Sequence, residues 1–234
     1  MNVTAADINK AVRIQLVNWK TVFGMPWAIV ATSFVVNIVI YALTDVDPAH
    51  RTTGGLASLY ATMMFTHLVT VTQVFPFTIA MSVTRRAFVA AAVLVIAAQS
   101  LLNGALLTLL RFIESGTDGW NLQMHFFDLG YVRQDDPVTQ MLVFATPLFV
   151  LSMLCMTIGS LYQRWGQPGL WITAIGTIAA SGVVIIAIVR FHWADSLGSF
   201  FTGTSAFALL AVYPLAIAAL LGLATTRMLT RARV

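Results

Sequence analysis

Charge is what this sequence has least of. Lys, Arg, Asp and Glu make up 9% of its 234 residues. Soluble domains carry about 25%, so the chain has too few ionised groups to cover a water-facing surface. Its lysines are Lys10 and Lys20 alone. Neither follows a glycine-rich loop of the phosphate-cradling form, which excludes ATP hydrolysis by that route. The one cysteine, Cys155, excludes an intrachain disulfide and a cysteine-built metal site. It falls in an apolar run and reads as a small buried residue. The net charge of +4 comes without any basic run interleaved with aromatics, so nucleic acid is not an expected partner. The polar, amphipathic first twenty residues do not form a cleavable signal peptide, and the N-terminus is expected to be retained.

What the chain has in abundance is apolar length. Hydrophobic residues reach 59% and the mean hydropathy is +0.84. A charge at mid-bilayer costs about 2.5–3.5 kcal/mol on insertion scales, and about 20 helical residues cross the hydrocarbon core. Uncharged runs at about 23–43, 58–81, 87–110, 138–162, 168–189 and 202–225 therefore predict six transmembrane helices in one all-α domain spanning 1–234. Turn residues separate them: Asp45 to Pro48, Gly54-Gly55, Gly116 and Gly119, Asp136-Pro137, and Gly166 to Pro168.

Orientation follows from Lys and Arg. With the N-terminus inside, the inner segments hold Lys10, Arg13, Lys20, Arg85, Arg86, Arg164, Arg227, Arg231 and Arg233. The outer segments hold Arg51, Arg111, Arg133 and Arg190. This bias predicts a multi-pass protein of the cell membrane with both termini cytoplasmic. Nearly all the acids, Glu114 and Asp128 among them, then fall in outer loops and none within a span. Residues 4–22 are expected to lie in the membrane surface. Thr4-x-x-Asp7 fits a capping box, and Ile8, Val12, Leu16, Trp19 and Phe23 recur at helical spacing opposite most of the cations. Met25-Pro26 marks the place where proline restricts continuation into the first span. The longest connection, 111–137, carries Trp120, Phe126, Phe127 and Tyr131 among its acids.

Catalysis finds no support in the residues. No paired aspartates, serine–histidine pair or H-E-x-x-H motif falls within the spans. His125-x-x-Asp128 and His192-x-x-Asp195 read as loop polarity rather than metal ligands. The polar positions inside the spans carry more information. Thr62, Thr66, Thr70 and Gln73 form one face of the second span, with His67 at its border, and Gln99 and Asn103 are an i, i+4 pair on the third. Together with Asn37 they are candidates either for hydrogen bonds between helices or for the wall of a translocation path. Gly176 and Ala180 on the fifth span permit close helix packing.

Two inner turns carry arginine: Ser82-Val-Thr-Arg85-Arg86 and Tyr162-Gln-Arg164-Trp-Gly166. Phe75-Pro-Phe-Thr-Ile-Ala-Met-Ser82-Val-Thr-Arg-Arg-Ala-Phe88 resembles the inner-loop signature of small prokaryotic permeases of type-two ATP-binding-cassette exporters. Ile158-Gly-Ser-Leu-Tyr-Gln-Arg-Trp-Gly166 is similar to a second stretch of that family. The resemblance implies a permease with no ATPase of its own and no cofactor in this chain. ATP and Mg would be bound by separate cytoplasmic ATPase subunits, and a second permease subunit, in a homodimer or heterodimer, would complete the path. It further implies that Ser82, Thr84, Arg85 and Arg86, with Arg164 and Trp165, dock on the ATPase. Two other classes remain open from the residues: a substrate-binding module of an importer, and a membrane sensor or assembly protein.

Overall fold

A computed structural model describes residues 4–44, 46–47 and 51–230. The expected turn residues Asp45 and Pro48, and the C-terminal Arg231 and Arg233, lie outside the described residues. Among those described the protein is all-α, without a strand. Its elements are α1 (Ala5–Gln15), α2 (Trp19–Leu43), α3 (Ala57–Ala80), α4 (Arg85–Gly116), α5 (Pro137–Arg190), α6 (Ala194–Gly203) and α7 (Ala208–Thr230). Helices α2, α3, α4, α5 and α7 are long and apolar enough to cross a membrane, the build of a multi-pass membrane protein.

The elements depart from the sequence reading in five places. The surface helix ends at Gln15 rather than near residue 22, and the turn at 16–18 separates it from α2. Pro26 does not interrupt α2; the Val22 carbonyl four residues earlier, which proline leaves without a backbone donor, accepts instead from the Gln99 amide at 3.1 Å. Helix α4 runs to Gly116, so Arg111 and Glu114 belong to it and not to a loop. Thr202 and Gly203, expected to begin the last span, instead end a separate short helix, α6, and α7 starts at Ala208. The fourth and fifth expected spans lie in one 54-residue segment, α5, whose backbone leaves helical geometry at Gly166 (φ 68°, ψ −162°). Only glycine adopts that conformation without steric cost.

Helices α3 and α7 share a local device. A π-helical segment, Thr70–Val74 in α3 and Ala208–Val212 in α7, precedes Pro76 and Pro214 by two residues in each. Proline has no N–H to donate, so a carbonyl one turn earlier loses its partner and the ladder adjusts around it. In α3 the freed carbonyls are satisfied from another helix. The Gln163 amide of α5 donates to Val71 O at 3.1 Å and Thr72 O at 2.9 Å.

The side chains pack in two main layers. One holds Leu59, Met63, Leu107, Phe126, Phe144 and Leu148. The other holds Val71, Phe75, Phe88, Ile96, Met153 and Leu229. Where both solvent and interior are apolar, close contact rather than water exclusion holds helices together. Gly104 meets that need between α4 and α5: a Cβ there would stand 2.7 Å from Met141 O.

Candidate functional site

The end of the molecule that carries α1 gathers most of the motif residues. The apolar stripe of α1 is covered by protein: Ala11 packs with Val83, Ala87 and Ala91, flanked by Ile8 and Val12. Thr4 and Asp7 complete the capping box, and the Thr4 hydroxyl, with its backbone N–H, holds the Asp7 carboxyl below its ordinary range. Lys10 reaches from α1 to the α3–α4 turn, where its Nζ donates to Met81 O at 3.0 Å. The next residue, Ser82, has φ 63°, a left-handed conformation that non-glycine residues seldom take. Thr84 then caps α4, its hydroxyl accepting from Ala87 N.

The two arginines of this turn divide. Arg85 points inward, with Nη1 3.4 Å from both Leu229 O and Thr230 O. It thus places a cation at the C-terminal end of α7, where the helix dipole favours one. Arg86 is exposed. Arg164 lies over the Trp165 ring, 4.3 Å from its centroid, and Trp165 is itself exposed. The double-arginine pattern in the sequence does not distinguish these roles. The cue for Arg85 lies in a helix end almost 150 residues away.

Among the described residues, the polar side chains of the interior divide between bonds within their own helices and ties from helix to helix. Thr62, Thr66 and Thr70 each donate to the carbonyl four residues earlier in their own helix, the usual way threonine satisfies its hydroxyl in a membrane helix. Asn37 does the same toward Ser33 O, and Gln73 is exposed. Gln99 and Asn103 are buried ties between helices. The Gln99 amide donates to Val22 O at 3.1 Å, and Asn103 Oδ1 accepts from Trp27 Nε1 at 2.9 Å. Thr66, His67 and Thr70 do come together, with Gln15 of α1, around a cavity of about 20 Å³. That is room for about one water molecule. His67 is 3% exposed, and its Nε2 has no protein partner among the described residues.

The opposite end holds a constellation that the sequence reading did not identify. Glu114 is 1% exposed. It accepts from the backbone N–H groups of Phe126, Phe127 and Asp128 and from Trp120 Nε1, at 2.8–3.2 Å. Arg111, one helical turn earlier, donates to Asp128 Oδ1 at 3.0 Å and to Gln134 O at 2.9 Å. Residues 117–136 are thereby folded into a cap on α4. Phe34 closes against it, with ring centroids 5.1–5.7 Å from Trp120, Phe126 and Phe127. The cap tolerates four left-handed non-glycine residues, Asp118, Trp120, Asn121 and Gln123. Such conformations persist only where the surroundings over-determine them. A signal was available: Arg111 is followed by Phe112 and Ile113, so apolar helix continues beyond the first charge.

In comparisons with protein-family models, curated proteins and solved structures, nothing matches this chain.

Proposed function

We propose that this chain is the transmembrane permease subunit of an ATP-driven exporter, coupled to separate cytoplasmic ATPase subunits and paired with a second permease. In this reading it crosses the membrane six times, with both termini cytoplasmic. At about 1.5 Å per residue, the 54 residues of α5 would measure far more than the roughly 30 Å of a hydrocarbon core. The break at Gly166 lets its two arms serve as separate crossings that turn back at the side carrying α1.

The observation that carries the proposal is the fastening of the Ser82–Arg86 turn. Lys10 ties it to α1, Arg85 ties it to the end of α7, and Arg86 is left on the surface. A push on such a turn is delivered to two elements at once, which is what a soluble motor needs in order to tilt a helical bundle. Arg86, Arg164 and Trp165 form the contact surface for the ATPase, and Ser82 and Thr84 shape the turn. The path runs between two permeases along the α3 face of Thr62, Thr66 and Thr70, with Gln73 exposed beside it. Gln99 and Asn103 tie the helices behind that face, with His67 buried at its border and Asn37 bonded within α2. ATP and Mg act in the partner. This chain contributes no catalytic group.

The test uses co-purification with candidate ATPases in gentle detergent. Arg86→Glu should reverse the charge at the contact and strongly lower permease-stimulated ATP turnover, while expression and thermal midpoint stay unchanged. Arg85→Ala should lower the thermal midpoint as well, because it uncaps α7. Normal assembly and turnover in Arg86→Glu would sink the assignment of this turn.

A further inference from the structure

A groove of about 440 Å³ lies under the cap, between the start of α3, the first arm of α5 and the π segment of α7. Its volume falls within the roughly 300–1,000 Å³ of small-molecule sites. Its walls are mainly apolar, Val143, Phe144, Pro147 and Leu210 among them, and no charged side chain among the described residues lines it. Polar groups gather at one end, where Thr52 and Thr53 meet the cap. The gap has a local cause. Pro147 removes one backbone bond from the first arm of α5, and the facing segment of α7 is wound as a π-helix. Two irregular helices do not close on each other as regular ones do.

Depth decides what fills it. Val143 and Pro147 stand six and ten residues inside α5 from Pro137, about 9 and 15 Å along the axis at about 1.5 Å per residue. With the polar cap at the membrane surface, the floor of the groove lies at the level of lipid tails and its rim at the level of headgroups. Water is disfavoured on apolar walls at that depth, and an ion would find no counter-charge.

We propose that the groove is a seat for one acyl chain of a phospholipid from the surrounding leaflet, with the chain along Val143, Pro147 and Leu210 and the ester region at the Thr52–Thr53 rim. The lipid would support the cap from below, filling space that protein side chains leave open. This inference rests on the membrane setting of the helices and is independent of the transport reading.

The experiment loads the full chain with phosphatidylglycerol carrying a photoactivatable diazirine at mid-chain, exchanges loosely held lipid for unlabelled lipid in nanodiscs before photolysis, and maps labelled peptides by mass spectrometry. Labelling should concentrate on the peptides holding Val143–Pro147 and Leu210, about tenfold above the outward-facing second arm of α5. Ala57→Trp, a substitution from an exposed position on the rim wall, should fill the groove and abolish that excess. Leu210→Trp should do the same from the opposite wall and serves if Ala57→Trp fails to fold. Ile178→Trp, on the second arm, should leave the excess intact. Labelling spread evenly over both arms, an excess that survives both groove-filling variants, or cross-links from the groove to a second copy of the chain would each overturn the proposal.

Discussion

The two arms of α5 are nearly matched in apolar character yet live in different surroundings. Residues 137–165 contribute Phe144, Leu148, Met153, Met156 and nine further residues to the buried interior. Residues 167–190 contribute none, and Trp171, Ile172, Ile178 and Ile186 are each more than two-thirds exposed. In water the second arm would be untenable, since exposed apolar patches of that size drive association. In lipid it carries no such penalty, because the hydrocarbon solvates it as well as another helix would. Hydropathy therefore rates both arms as apolar and says nothing about which one is packed.

The sharpest way to break the contrast is to undo the polar framework that fixes the packed end. Glu114→Ala leaves three backbone N–H groups and an indole N–H buried without their acceptor. Stability should fall by about 3–5 kcal/mol, at 1–3 kcal/mol for each unsatisfied group with partial relaxation. The measurement is thermal unfolding in detergent, together with faster proteolysis within 117–136. An unchanged midpoint would mean that the cap is held by its aromatic contacts alone.

Glycine-to-alanine pairs test the arms themselves and should differ in sign. A Cβ on Gly159, in the first arm, would stand 2.9 Å from Val71 Cβ, and overpacking of this kind costs about 1–3 kcal/mol. A Cβ on Gly176, in the second arm, meets nothing within 4 Å, so Gly176→Ala should gain up to about 1 kcal/mol of helix propensity. Equal destabilisation by both would show that the second arm is packed in the assembled protein, and a parallel loss of dimer mass would identify a second copy as its cover.

The smallest effect is expected at the start of α5. Asp136 accepts from Thr139 N and from the Thr139 hydroxyl, each at 2.7 Å, and these bonds hold its carboxyl below the ordinary 3.8. A carboxyl depressed by folding contributes stability that is present above its unfolded value and lost as pH falls through the folded one. The thermal midpoint should therefore decline only below about pH 4, and Asp136→Asn, which keeps a cap without a titrating group, should flatten that part of the profile.

Much of this protein was legible in its residues. The shortage of charge and the uncharged runs sufficed for the all-α membrane class, since a bilayer leaves few ways to satisfy a buried backbone. Thr4 and Asp7 announced the cap of α1. Pro76 and Pro214 stand two residues beyond the π segments, a regularity readable in advance. Arg111 and Glu114 misled, because an isolated charge ends an uncharged run whether or not the helix ends there. Only the folded loop shows that the Glu114 carboxylate is met by backbone N–H groups.

The sequence by itself determined which stretches are helical and apolar, because hydropathy and capping are local properties of a few neighbouring residues. Tertiary structure decided the rest. It set Arg85 inward and Arg86 outward, built a cap on one buried carboxylate, and packed one arm of α5 while leaving the other facing outward. Those choices depend on which distant backbone atoms meet each side chain, and in a chain whose interior and solvent are equally apolar, composition carries no record of that.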